Sequence, residues 1–479
     1  MLNQFFNRLS KESILYCHWK SIDKMDRVYE GSTDIDLLID VNSISKFNQI
    51  LSEFNIINIK PRLWMTYPSM NDYLLIDDKN GRYYHLHLHY KLIMGKKNAK
   101  EIILPLENFY LQNSVKHDRY DTFIIDPNID IITLLLRISI KYNLIKLFYS
   151  KILKSKLSEL DEYKYLLSKC NDGQVKINAE KIDIKLNGNG RIKNYFANDF
   201  YKEPLSNIYQ LRRLRHVLYP YRRIKSYGLY LIPFIRKYLN LYAILGRNNS
   251  KHPIQGGLSI AVVGCDGSGK TTVVNKIIKE LRSKLSARKY YLGFNKRSYS
   301  FIARIIIFIS YFPRAIKFIF KNNLGKKINI FGQILSEYAG YLDRKNKYLK
   351  SIYDKNNGMI AFYERYPLKN TIDYPQCFYH SSYIDIIKGS KTLSYFKNKL
   401  ERKYNLFAPA DINIFIDTDP NIIRQRRSMD DLTFNKIKDK YKRVKIYVDS
   451  KQYFIHIDGN DSLEKVTRNI KTEILNRLC

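Results

Sequence analysis

The stretch GCDGSGKT, residues 264 to 271, narrows the possible folds more than any other part of the chain. Its spacing is G-x-x-x-x-G-K-[ST], a turn whose glycines let backbone N–H groups point inward at an anion. Such a turn works where a buried strand delivers it and a helix leaves it, because the helix start adds its own unpaired amides and the positive end of its dipole. Both flanks are present. The apolar run LSIAVV (258–263) leads in, and Val274, Ile277, Ile278, Leu281 and Leu285 follow at helical spacing.

The chain beyond this point repeats one unit of apolar strand, polar switch and helix. LSIAVV, GMIAFY (358–363), INIFI (412–416) and YFIHI (453–457) are continuous apolar runs, which predicts a parallel sheet with helices on both faces. Each run stops at Gly264, Glu364, Asp417 or Asp458, and ligands of open parallel sheets bind beyond such carboxyl ends. Gly264, Cys265, Asp266, Gly267, Ser268, Gly269, Lys270, Thr271 and Thr272 form the candidate nucleotide set. Lys270 is placed to reach the β- and γ-phosphates of ATP, and the Thr271 hydroxyl to hold Mg²⁺.

Several segments of 250–479 resemble thymidylate kinases. DGSGKTT looks like their phosphate loop, and AFYERYPLKN (361–370) like their D-R-Y motif with Glu364 in place of the aspartate. DINIFIDTDPNIIRQRR (411–427) is similar to their strand, turn and arginine-bearing lid, and YFIHIDGNDSLEKVTRNI (453–470) to their last strand and helix. The resemblance implies an ATP-dependent kinase, with dTMP as the first acceptor to consider. It implies that Asp266 meets the acceptor nucleotide's 3′-hydroxyl, that Arg365 and Tyr366 lie on the acceptor, and that Arg344, in YLDRKNKY, contacts its phosphate. Glu364 at a strand end suits Mg²⁺ held through water, and Arg424 with Arg427, a helical turn apart, suits a closing lid. The family's R-E-P-G-G-T segment is missing: KYYLGFNKRSYSFIARIII (289–307) stands at that place, so the acceptor side has diverged. Kinase-like domains with such an extension also resemble proteins of bacterial surface-polysaccharide clusters, which keeps a sugar or glycan intermediate open as acceptor.

Residues 1–120 alternate short apolar runs with polar turns, a small mixed α/β pattern. GSTDIDLLID (31–40) places Asp34 and Asp36 two apart on a strand, so both face one spot and suit a pair of Mg²⁺ ions. HWKS (18–21) precedes it, and the arrangement resembles polymerase-β-type nucleotidyltransferases. That resemblance implies a phosphate contact for Ser21, with Lys20 replacing a glycine. The third carboxylate is expected on the next sheet strand, but YYHLHLHY (83–90) offers His85, His87 and His89 and no acid, leaving His87 at the vacant position.

Residues 121–250 read as a helical, basic middle region, and HPIQGG (252–257) as a hinge into 251–479. There, LRRLRHVLYPYRRIKSYGLYLIPFIRKYLNLYAILGR (211–247) interleaves arginines with tyrosine and leucine, a pattern that docks on anionic membrane, grips nucleic acid, or packs as a linker. The whole chain carries 82 Lys+Arg against 45 Asp+Glu, a net +37, which favours polyanionic partners; abundant Lys, Asn and Tyr equally suggests a general compositional bias. A nucleic-acid end-processing enzyme draws on that charge, but no base-reading module is legible. Five dispersed cysteines argue against a disulfide framework and a zinc site. MLNQFFNRLSKESILY lacks a secretory leader's continuous apolar core, and charges interrupt the greasiest stretch, 300–320, before it reaches membrane-spanning length. The expected setting is cytoplasmic, with peripheral contact at the inner face of the membrane.

Overall fold

The computed structural model describes all residues except 62–65, 78, 97–98, 143–158, 205–207, 225–230, 233, 236–237, 239–250, 282–283, 294–298, 317–322, 367–390, 405, 427–432 and 479. The chain divides into two units, Met1–Asn248 and Asn249–Leu478.

In the first unit, helix α1 (Leu2–Lys11) buries Leu2, Phe5, Phe6 and Leu9, one stripe at helical spacing. Strands β1 (Tyr16–His18), β2 (Ile35–Ile39), β3 (Ile56–Lys60), β4 (Met70–Asp77), β5 (Arg82–His89), β6 (Ser114–Lys116) and β7 (Phe123–Ile125) form a mixed sheet ordered β3-β4-β5-β2-β1-β7-β6. β2 runs parallel to β5, with Ile35 opposite Leu86 and Asp36 opposite His87; β4 runs antiparallel to β5, with Asp72 also opposite His87.

The helical stretch that the sequence sets apart from residue 121 shares this core. β7 joins the sheet beside β1, and α2 (Pro127–Lys141) is buried nearly all round. Its start is well specified: Asp126 caps the amide of Asn128 and Pro127 occupies the first helical position. A helix apolar on every side needs covering on every side, and α3 (Leu160–Lys169) with the helices to Val217 supplies that cover.

In the second unit, β8 (Ser259–Val263), β9 (Ala287–Tyr291), β10 (Ile360–Glu364), β11 (Ile412–Asp417) and β12 (Phe454–Asp458) form an all-parallel sheet ordered β9-β10-β8-β11-β12. The four apolar runs are four of these strands. The fifth, β9, lies at an edge and carries Arg288 and Lys289, so its apolar run is interrupted. Helices α4 (Lys270–Leu281), α5 (Phe301–Ile316), α6 (Asn323–Asn356), α7 (Pro420–Arg426), α8 (Phe434–Asp449) and α9 (Leu463–Asn476) accompany the sheet. The glycine turn 264–269 joins the sheet's central strand β8 to α4, which makes the second unit an α/β fold of the P-loop type. Among the described residues no helix is long and apolar enough to cross a membrane.

Candidate active site

The turn leaves β8 at Gly264, where a Cβ would stand 2.7 Å from Ser268 Oγ and 2.9 Å from the Ile416 carbonyl oxygen. Only glycine fits that approach. Gly267 and Gly269 follow at φ 93° and 88°, in the left-handed region that glycine adopts without strain. The result is a cradle opening onto the first turn of α4, whose exposed Thr271 and Thr272 accompany amides that lack intrahelical acceptors. The Ser268 hydroxyl is buried there with no hydrogen-bond partner among the described residues. A backbone nest with an orphaned hydroxyl fits a phosphate.

Lys270 Nζ donates to the carbonyl oxygens of Gly264 (2.8 Å) and Cys265 (2.5 Å), so its ammonium lies against the loop. Burial lowers its pKa to about 8, against the opposing pull of Asp266. Asp266 accepts from Arg365 (2.5 Å) and Lys440 (2.7 Å) and lies 4.0 Å from Lys270. Burial alone pushes this carboxyl up; the charges of Lys440, Arg365 and Lys270 outweigh it, and the pKa ends well below the ordinary value. Arg365 directly follows β10 with φ 57°, a left-handed conformation costing a non-glycine residue on the order of 1 kcal/mol. Glu364, the last residue of β10, is buried; its Oε1 has no hydrogen-bond partner among the described residues, and Lys289 Nζ is 3.7 Å away. A buried, underused carboxylate beside a strand end fits Mg²⁺ held through water.

α7 begins as its sequence predicts, with Asp419 accepting from the Asn421 amide. Arg424 is exposed on it, and Arg427 lies outside the described residues. Among the described residues of α7 the arginine beside the cradle is Arg426, which donates to the Gly459 carbonyl (3.1 Å) and whose guanidinium comes within 3.9 Å of where a Gly269 Cβ would stand. Sequence spacing favoured 424 and 427, a turn apart, and passed over their neighbour. Lys440 was also missed, since nothing in KIKDKYKR (436–443) marks one lysine of α8 over another.

Arg344 and Tyr366 are both in the interior. Arg344 donates to the Leu292 carbonyl (2.9 Å) and the Tyr404 hydroxyl (2.5 Å), with Gly340 leaving room for its guanidinium. Tyr366 donates to the Ala408 carbonyl, its ring 4.7 Å from that of Tyr363.

The first unit has its own cluster, and the strand spacing does bring Asp34 and Asp36 to one side with the histidines. Asp34 Oδ1 is 2.9 Å from His85 Nδ1. Asp36 Oδ1 is 3.0 Å from His89 Nε2, 3.5 Å from His87 Nδ1 and 3.7 Å from Lys20 Nζ. The acid missing from β5 stands one strand further out: Asp72 Oδ1 on β4 is 3.6 Å from His87 Nε2. Ser21 adopts φ 54°, and its amide donates to Glu162 at 2.9 Å.

Burial drives the Asp36 carboxyl up, but Lys20, His87 and His89 bring it far below its usual range. Burial lowers Lys20 to about 7 against the pull of Asp36. Burial also lowers His87, whose hydrogen bond with Asp36 and the nearby Asp72 and Asp34 charges nevertheless leave it raised. His18 and His89 are pushed down to about 3 by burial, with Lys20 adding to the effect at His89. Below pH about 6.5 the unfolded chain protonates these two imidazoles while the folded chain refuses the proton. Stability present above that pH is therefore lost as pH falls toward 3, at about 1.4 kcal/mol per pH unit for each histidine. His87, charged in both states there, drops out. Urea unfolding of the first unit should show a clearly lower midpoint at pH 4.5 than at pH 7; equal midpoints would contradict the buried neutral histidines.

No protein-family profile and no curated protein sequence matches the chain. Among solved structures it is similar to a deoxyadenosine kinase from M. mycoides with bound dATP, at 13% identity and TM-score 0.27, over 45% of this chain and 98% of that one. At that level the likeness identifies neither activity nor substrate.

Proposed function

We propose that this chain is an ATP- and Mg²⁺-dependent phosphotransferase of the nucleoside-monophosphate kinase type, with dTMP the first acceptor to test. One observation carries the reading: Lys270, Arg365, Lys440 and Arg426, from four separate segments, converge on or beside a single glycine cradle. Phosphoryl transfer asks mainly for positioning and for positive charge around the moving group, which such a ring supplies. Lys270 and the amides of 267–272 bind the triphosphate tail. Thr271 and Glu364 would hold Mg²⁺, which neutralises charge shared between the β- and γ-oxygens. Arg365 and Lys440 hold Asp266 in the ionised form, able to accept a hydrogen bond from an acceptor hydroxyl. Arg426, tied to the Gly459 loop, covers the cradle from the α7 side.

A second reading places the acceptor on a sugar or glycan at a membrane surface. It draws on α5, which stands where the R-E-P-G-G-T segment is missing and exposes Phe301 (78%), Ile302 (60%), Phe308 (64%) and Phe312 (59%). The membrane contact expected from 211–247 falls largely outside the described residues beyond 224. Incubation with γ-labelled ATP and Mg²⁺ against a panel of nucleoside monophosphates, sugar phosphates, lipid-linked glycans and oligonucleotide ends separates these acceptors. Label in dTDP supports the first reading, and label only in a glycan moves the assignment to the second. Neither ATP binding nor transfer to any acceptor would sink both.

A further inference from the structure

We infer that the first unit holds one divalent transition-metal ion of the zinc class on Asp34, His85 and His87. Each of these residues offers a ligand atom, and the three atoms lie within 4.8 Å of one another. Strand pairing builds the set. β2 and β5 run parallel with Ile35 opposite Leu86, which sets Asp34 beside His85, and His87 follows two residues on along the same face. Two imidazoles and one carboxylate are a donor set for zinc, cobalt or iron, whereas Mg²⁺ prefers oxygen.

The surroundings support one ion and argue against a pair. Asp36, the natural second carboxylate, is taken up by Lys20 and His89 at 3.7 and 3.0 Å. The Lys20 ammonium, set over the Trp19 ring at 3.6 Å, stands against that carboxylate as its resident cation. A second metal would have to displace it. A carboxylate also backs one ligand: His87 Nδ1 is 3.5 Å from Asp36 and Nε2 is 3.6 Å from Asp72, so whichever nitrogen takes the ion leaves the other against a carboxylate, the kind of outer contact that fixes a ligating ring. The Asp34 side chain is 39% exposed and that of His87 19%, so the ion keeps an open position for water or for an anionic oxygen of a ligand. The inference is independent of the kinase reading, since every residue in it belongs to the first unit.

The test uses the full-length chain without a histidine tag, stripped with chelator and titrated with Zn²⁺ by calorimetry, and with Co²⁺ by visible absorption. One equivalent of zinc should bind, and millimolar Mg²⁺ should not displace it. Asp34→Asn and His87→Gln should each weaken zinc by about a hundredfold or more, while Asp36→Asn, which removes at most an outer contact, weakens it by no more than about tenfold. Asp34 sits at the exposed rim, so its variant keeps the wild-type circular dichroism spectrum. Absence of stoichiometric zinc, undiminished zinc in Asp34→Asn, or binding that follows Mg²⁺ and Asp36 instead would each overturn the assignment.

Discussion

Lys270→Ala should lower phosphoryl transfer by about a thousandfold, roughly 4 kcal/mol of transition-state stabilisation, without disturbing the fold. Among the described residues the ammonium bonds to the Gly264 and Cys265 carbonyls and lies at the edge of Asp266, so its loss leaves the glycine geometry in place. What disappears is the positive charge where negative charge moves from the γ- to the β-phosphate. The lowered pKa of about 8 gives a second readout. Bound triphosphate stabilises the protonated amine, so above pH 8 ATP binding must take up a proton. Affinity should then fall with rising pH, by up to tenfold per unit, and Lys270→Arg should shift that dependence to higher pH. Label transfer, and calorimetry across pH 7 to 9.5, check both statements. A Lys270→Ala protein within tenfold of wild-type activity would remove the loop from the chemistry.

The cradle was legible in the sequence because it is local. Eight consecutive residues fix the backbone, and a strand and a helix on either side fix its direction. The alternation that aligns Asp34 with Asp36, and His85 with His87 and His89, was legible for the same reason, since it follows from strand geometry alone. The remaining partners depend on which strand lies beside which. Asp72 is unremarkable in SMNDYLL until β4 pairs with β5 and sets it opposite His87. Lys440 is one of several lysines on α8 until that helix carries it to Asp266. Arg426 shows the limit of helical-face reasoning: the turn-apart rule finds residues that share a face, and an arginine tied to the Gly459 loop does not need to share one. For Arg344 and Tyr366, residue type and motif position suggested substrate contacts, but burial is a tertiary property, and the structure gives both a partner in the core. The boundary drawn near residue 120 followed a change from strand to helix pattern, which reports secondary structure and not where a core ends.

The deepest ion pair of that shared core leads to the largest expected loss of stability. Arg137 on α2 binds Glu162 on α3 through both guanidinium ends, at 3.2 and 2.8 Å, with side chains only 14% and 3% exposed. Asp130, fully buried nearby, has its carboxyl pushed well up by burial and then by Glu162, with Arg137 opposing. Arg137→Met leaves the Glu162 charge buried without a counterion and beside a second acid, which should cost about 3 to 5 kcal/mol. For a unit of this size that lowers Tm by roughly 10 °C. Glu162 also accepts the Ser21 amide, so the same substitution should loosen the turn that carries Lys20 toward Asp36. Arg137→Met combined with Glu162→Gln should recover most of the loss, because the neutral amide can still accept from Ser21 and no longer needs a cation. Calorimetric unfolding of the single and double variants beside the wild type, with amide exchange in α2 to locate the effect, makes the comparison. A single-variant shift below about 2 °C would show that water reaches the pair and that the core is not closed there. ATP affinity, whose proposed contacts all lie in the second unit, should be unchanged in every variant below its transition.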